Sequence, residues 1–151
     1  MTNEPSPATL SVRTISPEDS VAVAELCAQL GYEATATEVR ERIDTLLSNP
    51  EQVALVACLD IEVVGWIEAA VIRHIQSPAH ALIGGLVVKD HIRSLGIGKQ
   101  LCAEVETWSR AKGLTVVRVT SRSTRESAHR FYLREGYSQT KISAVFEKLL
   151  P

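Results

Sequence analysis

Cysteine is scarce in this chain, and its spacing excludes two common uses of the residue. The three cysteines, Cys27, Cys58 and Cys102, form no Cys-x-x-Cys pair and have no histidine nearby at a metal-ligand spacing. Their odd number and scatter predict reduced, mostly buried thiols in a cytoplasmic protein. The four histidines form no metal motif either, so no metal site is expected.

The chain also lacks a long apolar run and a strong excess of either charge. No segment approaches the roughly 20 apolar residues of a spanning helix, so no membrane partner is expected. A net charge of −2 argues against a general nucleic-acid binder. The polar, proline-containing start predicts a flexible tail over residues 1–8 and no signal peptide. Residues 9–151 suit a single domain with one core.

What the sequence has is a regular succession of β-rich and amphipathic segments. We expect a hairpin between the second and third strands, although its turn has no glycine. The order of segments predicts an α/β fold in which a twisted, mixed sheet has helices on both faces. The predicted elements are a strand at 9–15, helices at 16–30 and from Thr35 to Asn49, strands at 53–59, 63–72 and 81–88, a helix at 97–112, a strand at 114–120, a helix from a cap at Ser123 to about Glu135, and last strands at Tyr137 and 142–149.

One junction between a strand and a helix has the features of an anion site. The first N–H groups of a helix have no partner inside it, and the helix dipole favours negative charge there. Gly96 and Gly98 would let the main chain approach a phosphate without a Cβ in the way. Arg93 adds a forked cationic donor that suits phosphate oxygens.

Two other phosphate-binding loops are excluded. A Walker A loop needs Ser or Thr where this chain has Gln100, and the dinucleotide fingerprint needs a third glycine where it has Leu101. The remaining pattern is Arg-x-x-Gly-x-Gly over 93–98, and it resembles the acetyl-CoA loop of the GNAT N-acetyltransferase family. The resemblance implies the GNAT-like acyl-CoA N-acyltransferase fold over about residues 9–149, with acetyl-CoA as cosubstrate and no metal.

The resemblance also implies where the cosubstrate binds. In this family the strands before and after the loop's helix splay apart, here 81–88 and 114–120, and the pantetheine arm bonds to the main chain of the first strand. The N–H of Val88 would polarise the thioester carbonyl and stabilise the oxyanion. The implied contacts in this region are Leu86, Val87, Val88, Arg93, Ser94, Leu95, Gly96, Ile97, Gly98 and Lys99.

A second segment resembles the family motif Asn-x-x-Ala-x-x-x-Tyr, which ends in Gly and an aromatic residue. Ala128 and Tyr132 match and share one helix face, and Gly136–Tyr137 follows. Arg125 stands at the Asn position, which removes one amide contact to the cofactor arm. Arg125, Ala128 and Phe131 are implied cofactor contacts. Tyr132 is the candidate general acid for the leaving thiolate, and a tyrosine that only packs is the alternative.

Two routes remain open for deprotonation of the acceptor amine. A lysine-like amine is mostly charged at neutral pH, so a base or a water path is needed. Glu68 lies on a central predicted strand where some relatives place a base. A structural glutamate on a solvated face is the alternative, in which case the loop amides would relay the proton through water.

Together these features predict an enzyme, an acetyl-CoA-dependent N-acetyltransferase that acts by direct transfer in a ternary complex. The acceptor is predicted only as a small-molecule or peptide amine. A homodimer is expected only because dimers are common in the family. The chain also resembles small bacterial members of aminoglycoside acetyltransferase type. Two other functions remain open: a catalytically silent coenzyme A-binding sensor or interaction module, and an unrelated α/β binding domain.

Overall fold

A mixed, five-stranded sheet forms the centre of the computed structural model, which describes residues 7–92, 95–121 and 125–151. The first four strands pair antiparallel with their neighbours, and the fifth pairs parallel to the fourth, which confirms the predicted mixed sheet. In sheet order, which is also chain order, the strands are β1 Leu10–Thr14, β2 Gln52–Leu59, β3 Glu62–Ile72, β4 His80–Val88 and β5 Val117–Val119. The α-helices are α1 Ser20–Gln29, α2 Ala36–Leu47, α3 Ile97–Ala111 and α4 Glu126–Arg134.

The chain divides into two compact units. The first ends at Val119 and contains all five strands and the helices α1 to α3. The second begins at Thr120 and contains α4. The cap predicted for α4 at Ser123 lies outside the described residues. In the ranges that the structure describes, no helix is long and apolar enough to cross a bilayer.

Helices cover both faces of the sheet, as predicted. On one face α2 packs on β2 and α1 packs on β3, and the buried side chains of this layer are Ile15, Val23, Val39, Ile43, Ala54, Val56 and Cys58. On the other face α3 lies over β3. A Cβ at Gly65 would be 3.3 Å from the Ile97 side chain and 3.4 Å from that of Leu101, so close contact between helix and strand requires glycine there.

The hairpin of β2 and β3 forms without a glycine because an aspartate takes the left-handed position. Asp60 has φ of +52°, a conformation that Asp tolerates better than most residues. Its N–H donates to the Thr9 carbonyl at 2.9 Å, and its Oδ1 accepts the Thr9 N–H at 3.1 Å. The predicted hairpin is confirmed, and the turn is also tied to the residue before β1.

The C-terminal segment differs from the prediction. Residues 135–151 are all described, and they contain no strand at Tyr137 or at 142–149. The predicted strand 114–120 is also reduced to the three residues of β5. Strand propensity alone does not select a partner. Ile142, Ala144 and Phe146 alternate with period two, but Val145 and Leu149 lie on the opposite face, so no single apolar face fixes a register.

An ion pair with a buried carboxylate joins the start of α1 to β1. The Arg13 guanidinium donates to both carboxylate oxygens of Asp19 at 2.8 Å, and the Ser16 N–H donates to Oδ2 at 2.8 Å. The Asp19 side chain is only 8% exposed, so its charge depends on these donors. The Arg13 guanidinium, helped by the Ser16 amide, lowers the pKa of Asp19 against the opposing effect of burial.

Replacing Asp19 with Asn should destabilise the protein by about 2 kcal/mol at pH 7, because charge-assisted hydrogen bonds are lost and Arg13 is partly solvated. The folded pKa is lowered, so this stabilisation is complete above the unfolded value of about 4 and is lost as pH falls through the folded value. Urea unfolding of wild type and Asp19→Asn between pH 7 and 3 should therefore give free energies of unfolding whose difference becomes smaller as the pH falls. The exposed Asp44→Asn serves as control, and a gap at Asp19 that is independent of pH contradicts the assignment.

Candidate functional site

The edge of β4 is paired along only part of its length. β5 pairs with β4 at Ala81–Ile83, whereas β4 continues to Val88. On the other side, the Lys89 N–H donates to the Val64 carbonyl at 2.8 Å. Because hydrogen bonds alternate along an antiparallel ladder, the main-chain groups of Leu86 and Val88 point away from β3. In the described part of the sheet they face the edge that β5 does not cover, where an extended ligand can add as a strand.

Helix α3 begins just beyond this edge with a glycine in the left-handed conformation. Gly96 is the N-cap with φ of +75°, which costs other L-residues about 1–2 kcal/mol. A Cβ there would meet nothing within 4 Å, so the requirement for glycine comes from the main chain alone. As a glycine, Gly96 has no side chain with which to cap the helix, and the first N–H groups of α3 have no partner within the helix. This geometry suits an anion.

The predicted contacts of this stretch fall on three consecutive features. Val87 and Ile97 are buried, so their side chains belong to the core and only their main chain can serve a ligand. Arg93 and Ser94 lie outside the described residues. The described contacts fall in three places. The end of β4 contains Leu86, Val87 and Val88, the residues just before α3 are Leu95 and Gly96, and the first turn of α3 contains Ile97, Gly98 and Lys99.

Glu68 lies in a groove between α2 and the sheet. The groove has a volume of about 440 Å³ and is lined by Glu41, Arg42, Thr45, Leu46, Gln52 and Glu68. The Glu68 side chain is half-buried in this groove. Burial raises the pKa of Glu68, which brings the carboxyl closer to the range of a general base at neutral pH.

The strand next to Glu68 makes room for its carboxylate. A Cβ at Gly84 would lie 2.8 Å from Oε1 of Glu68, so the carboxylate rests against the bare main chain of β4. Along an extended strand Gly84 is about 7 Å from Leu86 and about 13 Å from Val88. A direct base must come within hydrogen-bond reach of the amine. A carbonyl held near Leu86 would therefore lie closer to Glu68 than one held at Val88, which would need a chain of waters to reach this carboxylate.

The second unit holds the other predicted motif on one helix. Ala128, Phe131 and Tyr132 lie in α4, and Arg125 is its N-cap residue. The Tyr132 ring packs edge-on against Phe131 and Tyr137, with ring centroids 5.3 and 5.8 Å apart. The Tyr137 N–H also donates to the Tyr132 carbonyl at 3.0 Å. These contacts orient the Tyr132 ring within its own unit.

Two residues near β4 were missed by the sequence analysis. Gly84 had a weak signal, because a glycine inside a strand is typical of close approach by another group. Gln29 had none. Its Nε2 donates to the Val88 carbonyl at 2.8 Å, and its Oε1 accepts the Asp90 N–H at 2.8 Å. Among the described side chains, no three His, Cys, Asp or Glu residues are grouped so that they could hold a metal ion.

Comparison with known proteins identifies the family. The model of the acetyltransferase (GNAT) family matches residues 21–137. The aminoalkylphosphonate N-acetyltransferase of Salmonella typhimurium is 34% identical over 135 residues, which are 85% of this chain and 85% of the relative. The aminoglycoside N(6')-acetyltransferase type 1 of Stenotrophomonas maltophilia is 28% identical over 90% of this chain and 91% of the relative. The chain therefore belongs to the GNAT family of acetyltransferases.

A solved structure shows the same fold. The aminoglycoside N-acetyltransferase AAC(6')-Iy in complex with CoA matches with a TM-score of 0.85 and 17% identity, over 96% of this chain and 98% of that chain. At this identity the match concerns the fold alone. The expected family and fold are both confirmed, and the chain is an acyltransferase of the GNAT family.

Proposed function

We propose that this enzyme transfers an acetyl group from acetyl-CoA directly to a primary amine of a small molecule, in a ternary complex. One observation carries the proposal: an edge of β4 that β5 does not cover is followed by a helix start whose N-cap residue is a glycine. Coenzyme A has complementary chemistry, since its pantetheine arm contains amides that pair with an extended strand and its pyrophosphate suits a helix N-terminus. Both sequence relatives are named as acetyltransferases of amino compounds.

The cosubstrate would lie along β4 with its acyl end next to Glu68. The first N–H groups of α3, together with Arg93 and Ser94, would hold the pyrophosphate. The amides of Leu86 and Val88 would pair with the arm. We assign the thioester carbonyl to the Leu86 amide, instead of the Val88 amide expected from the sequence, because Glu68 lies within about two residues of that point.

Acid–base roles follow from this placement. Glu68 accepts a proton from the acceptor ammonium, and the neutral nitrogen attacks the carbonyl carbon to form a tetrahedral oxyanion, which the main-chain N–H stabilises. The oxyanion collapses as the C–S bond breaks, which leaves the amide and a thiolate. The nitrogen loses its remaining extra proton to solvent, and Glu68 returns to its ionised form by releasing the first proton to solvent, which also reprotonates the Tyr132 phenolate formed in the last step. Tyr132 donates its phenolic proton to the thiolate.

The groove beside Glu68 would receive the acceptor. It presents two carboxylates, Glu41 and Glu68, and one guanidinium, Arg42, which also pairs with Glu38 at 3.5 Å. A substrate with an amine and an acidic group, such as an aminoalkylphosphonate, would complement both signs of charge. An aminoglycoside carries only cationic groups and would complement the carboxylates alone.

Replacing Tyr132 with Phe should lower kcat for acetyl transfer about 100-fold and leave the KM for acetyl-CoA nearly unchanged, because only a transition-state proton is lost. Thiol release from acetyl-CoA measures this, with 2-aminoethylphosphonate and kanamycin as acceptors. Tyr32→Phe, at an exposed tyrosine beyond α1, is the matched control. Normal turnover of Tyr132→Phe rules out the acid role. Coenzyme A binding without thiol release for any amine would instead support the silent sensor.

The pH profile of kcat tests whether Glu68 is the base. In wild type kcat should fall as pH drops through the Glu68 pKa, which burial raises above its ordinary value. Glu68→Gln should lose this acid limb and turn over at least about 100-fold more slowly. Glu41→Gln, which removes an exposed carboxylate from the same groove, should keep the limb. An acid limb that survives in Glu68→Gln would support proton transfer through water.

A further inference from the structure

Gln29 joins helix α1 to the last turn of β4. It is the final residue of α1, and it lies 59 positions before Val88 in the sequence. Its side-chain amide makes two short hydrogen bonds with main chain: Nε2 to the Val88 carbonyl and Oε1 from the Asp90 N–H, both at 2.8 Å. The first of these bonds is partly shielded from water.

The chemistry of the two partners fixes the orientation of this amide. A carbonyl oxygen needs a donor and an N–H needs an acceptor, so rotation of the amide by half a turn would break both bonds. The side chain therefore pairs with residues 88–90 much as a neighbouring strand would. From the opposite side, the Lys89 N–H donates to the Val64 carbonyl at 2.8 Å. The Val88 carbonyl and the Asp90 N–H are thus held by α1, and the Lys89 N–H between them is held by β3.

This segment is where β4 ends and the loop to α3 begins. Val88 presents its carbonyl and its N–H to the same side of the strand, away from β3. Gln29 occupies the carbonyl, so the Val88 N–H keeps a fixed direction toward the unpaired edge. The next residue after the segment, His91, has φ of +70°, so the chain turns sharply as soon as it leaves the Gln29 contacts.

We propose that Gln29 is a positioning residue for the cosubstrate, acting through the main chain of residues 88–90. The proposal rests on the function proposed above, since it assumes that coenzyme A binds along β4 and at the start of α3. Gln29 itself does not touch the ligand. It holds the strand end at the angle that the arm-binding and pyrophosphate-binding groups require, before any ligand arrives.

Two substitutions by side chains of similar size distinguish the effect of the Gln29 hydrogen bonds from the effect of its packing. Gln29→Met keeps the length and loses both bonds. Gln29→Glu keeps the acceptor for Asp90 but sets a carboxylate oxygen against the Val88 carbonyl. When that glutamate is protonated, its hydroxyl can donate to Val88, and both bonds are restored. Val21→Met, two turns earlier on α1 at an exposed position, is the matched control.

The experiment is calorimetric titration of coenzyme A into wild type and the three variants at pH 5, 6, 7 and 8. Gln29→Met should bind about tenfold or more weakly at every pH, since two hydrogen bonds no longer hold the segment. Gln29→Glu should be weak at pH 8 and should approach wild type toward pH 5. Val21→Met should match wild type throughout. Recovery of Gln29→Glu at low pH would attribute the effect to the two hydrogen bonds, because the packing of this side chain does not change with pH.

Failure of this inference is distinguishable from failure of the proposed function. If wild type does not bind coenzyme A, the proposed function fails and the role of Gln29 fails with it. If wild type binds and Gln29→Met binds within about twofold of it, only the role of Gln29 is overturned.

Amide hydrogen exchange gives a second measurement that needs no ligand. The Asp90 amide should exchange faster in Gln29→Met than in wild type and remain protected in Gln29→Glu, which keeps its acceptor. The Lys89 amide, bonded to Val64, should stay protected in both variants. Equal exchange of the Asp90 amide in wild type and Gln29→Met would overturn the proposal even if Gln29→Met proves too unstable for calorimetry.

Discussion

The candidate site depends on one asymmetry in the sheet, because β4 is paired with β3 to its end but with β5 only at its start. Main-chain groups that lose a strand partner need another donor or acceptor. On the far edge of β4, Gln29 supplies a donor for the Val88 carbonyl, and the other groups face the side from which a ligand can add. The start of α3 at Gly96 follows this edge in the chain, so an elongated ligand with an anionic end could use main-chain donors of both β4 and α3.

A second constraint is the burial of a carboxylate beside that path. Burial in the groove disfavours the charged form of this carboxylate and therefore raises the pKa of Glu68. The absence of a side chain at Gly84 sets where the carboxylate rests. In the proposed mechanism a bound ammonium group would relieve this electrostatic cost, and transfer of its proton to Glu68 would prepare the nitrogen for attack. Burial of Glu68 would then favour both acceptor binding and proton transfer.

Local patterns in the sequence were sufficient for most of the fold. The capping box at Thr35 and Glu38, the buried stripe of α3 and the order of the strands were all predicted, because each depends on residues a few positions apart. The loop motif, with the helix motif after it, also identified the family. The tight turn at Asp60 formed without the expected glycine because hydrogen bonds to Thr9 support it.

Features that depend on distant partners could not be predicted in this way. The last strands were wrong because the segment 142–149 has β propensity but apolar residues on both faces, so neither face selects a partner. Gln29 was missed because its two bonds join residues about sixty positions apart, and nothing in a helix-terminal glutamine indicates them. The residue at which the pairing of β4 with β5 ends could not be predicted either, although it decides how far from Glu68 a thioester carbonyl can be held. The assignment of the acyl end to Leu86 required the structure.

Stabilisation of the folded protein by acetyl-CoA tests the central claim most directly. A ligand that binds only the folded state raises its stability, by about 2.7 kcal/mol at a concentration of 100 times Kd. We expect acetyl-CoA to raise the Tm of wild type, and we expect Gly96→Asp to fold but lose the effect, because its carboxylate would lie at the helix start that receives the pyrophosphate. No change in the Tm of wild type at millimolar acetyl-CoA, or an equal rise in Gly96→Asp, would contradict the account.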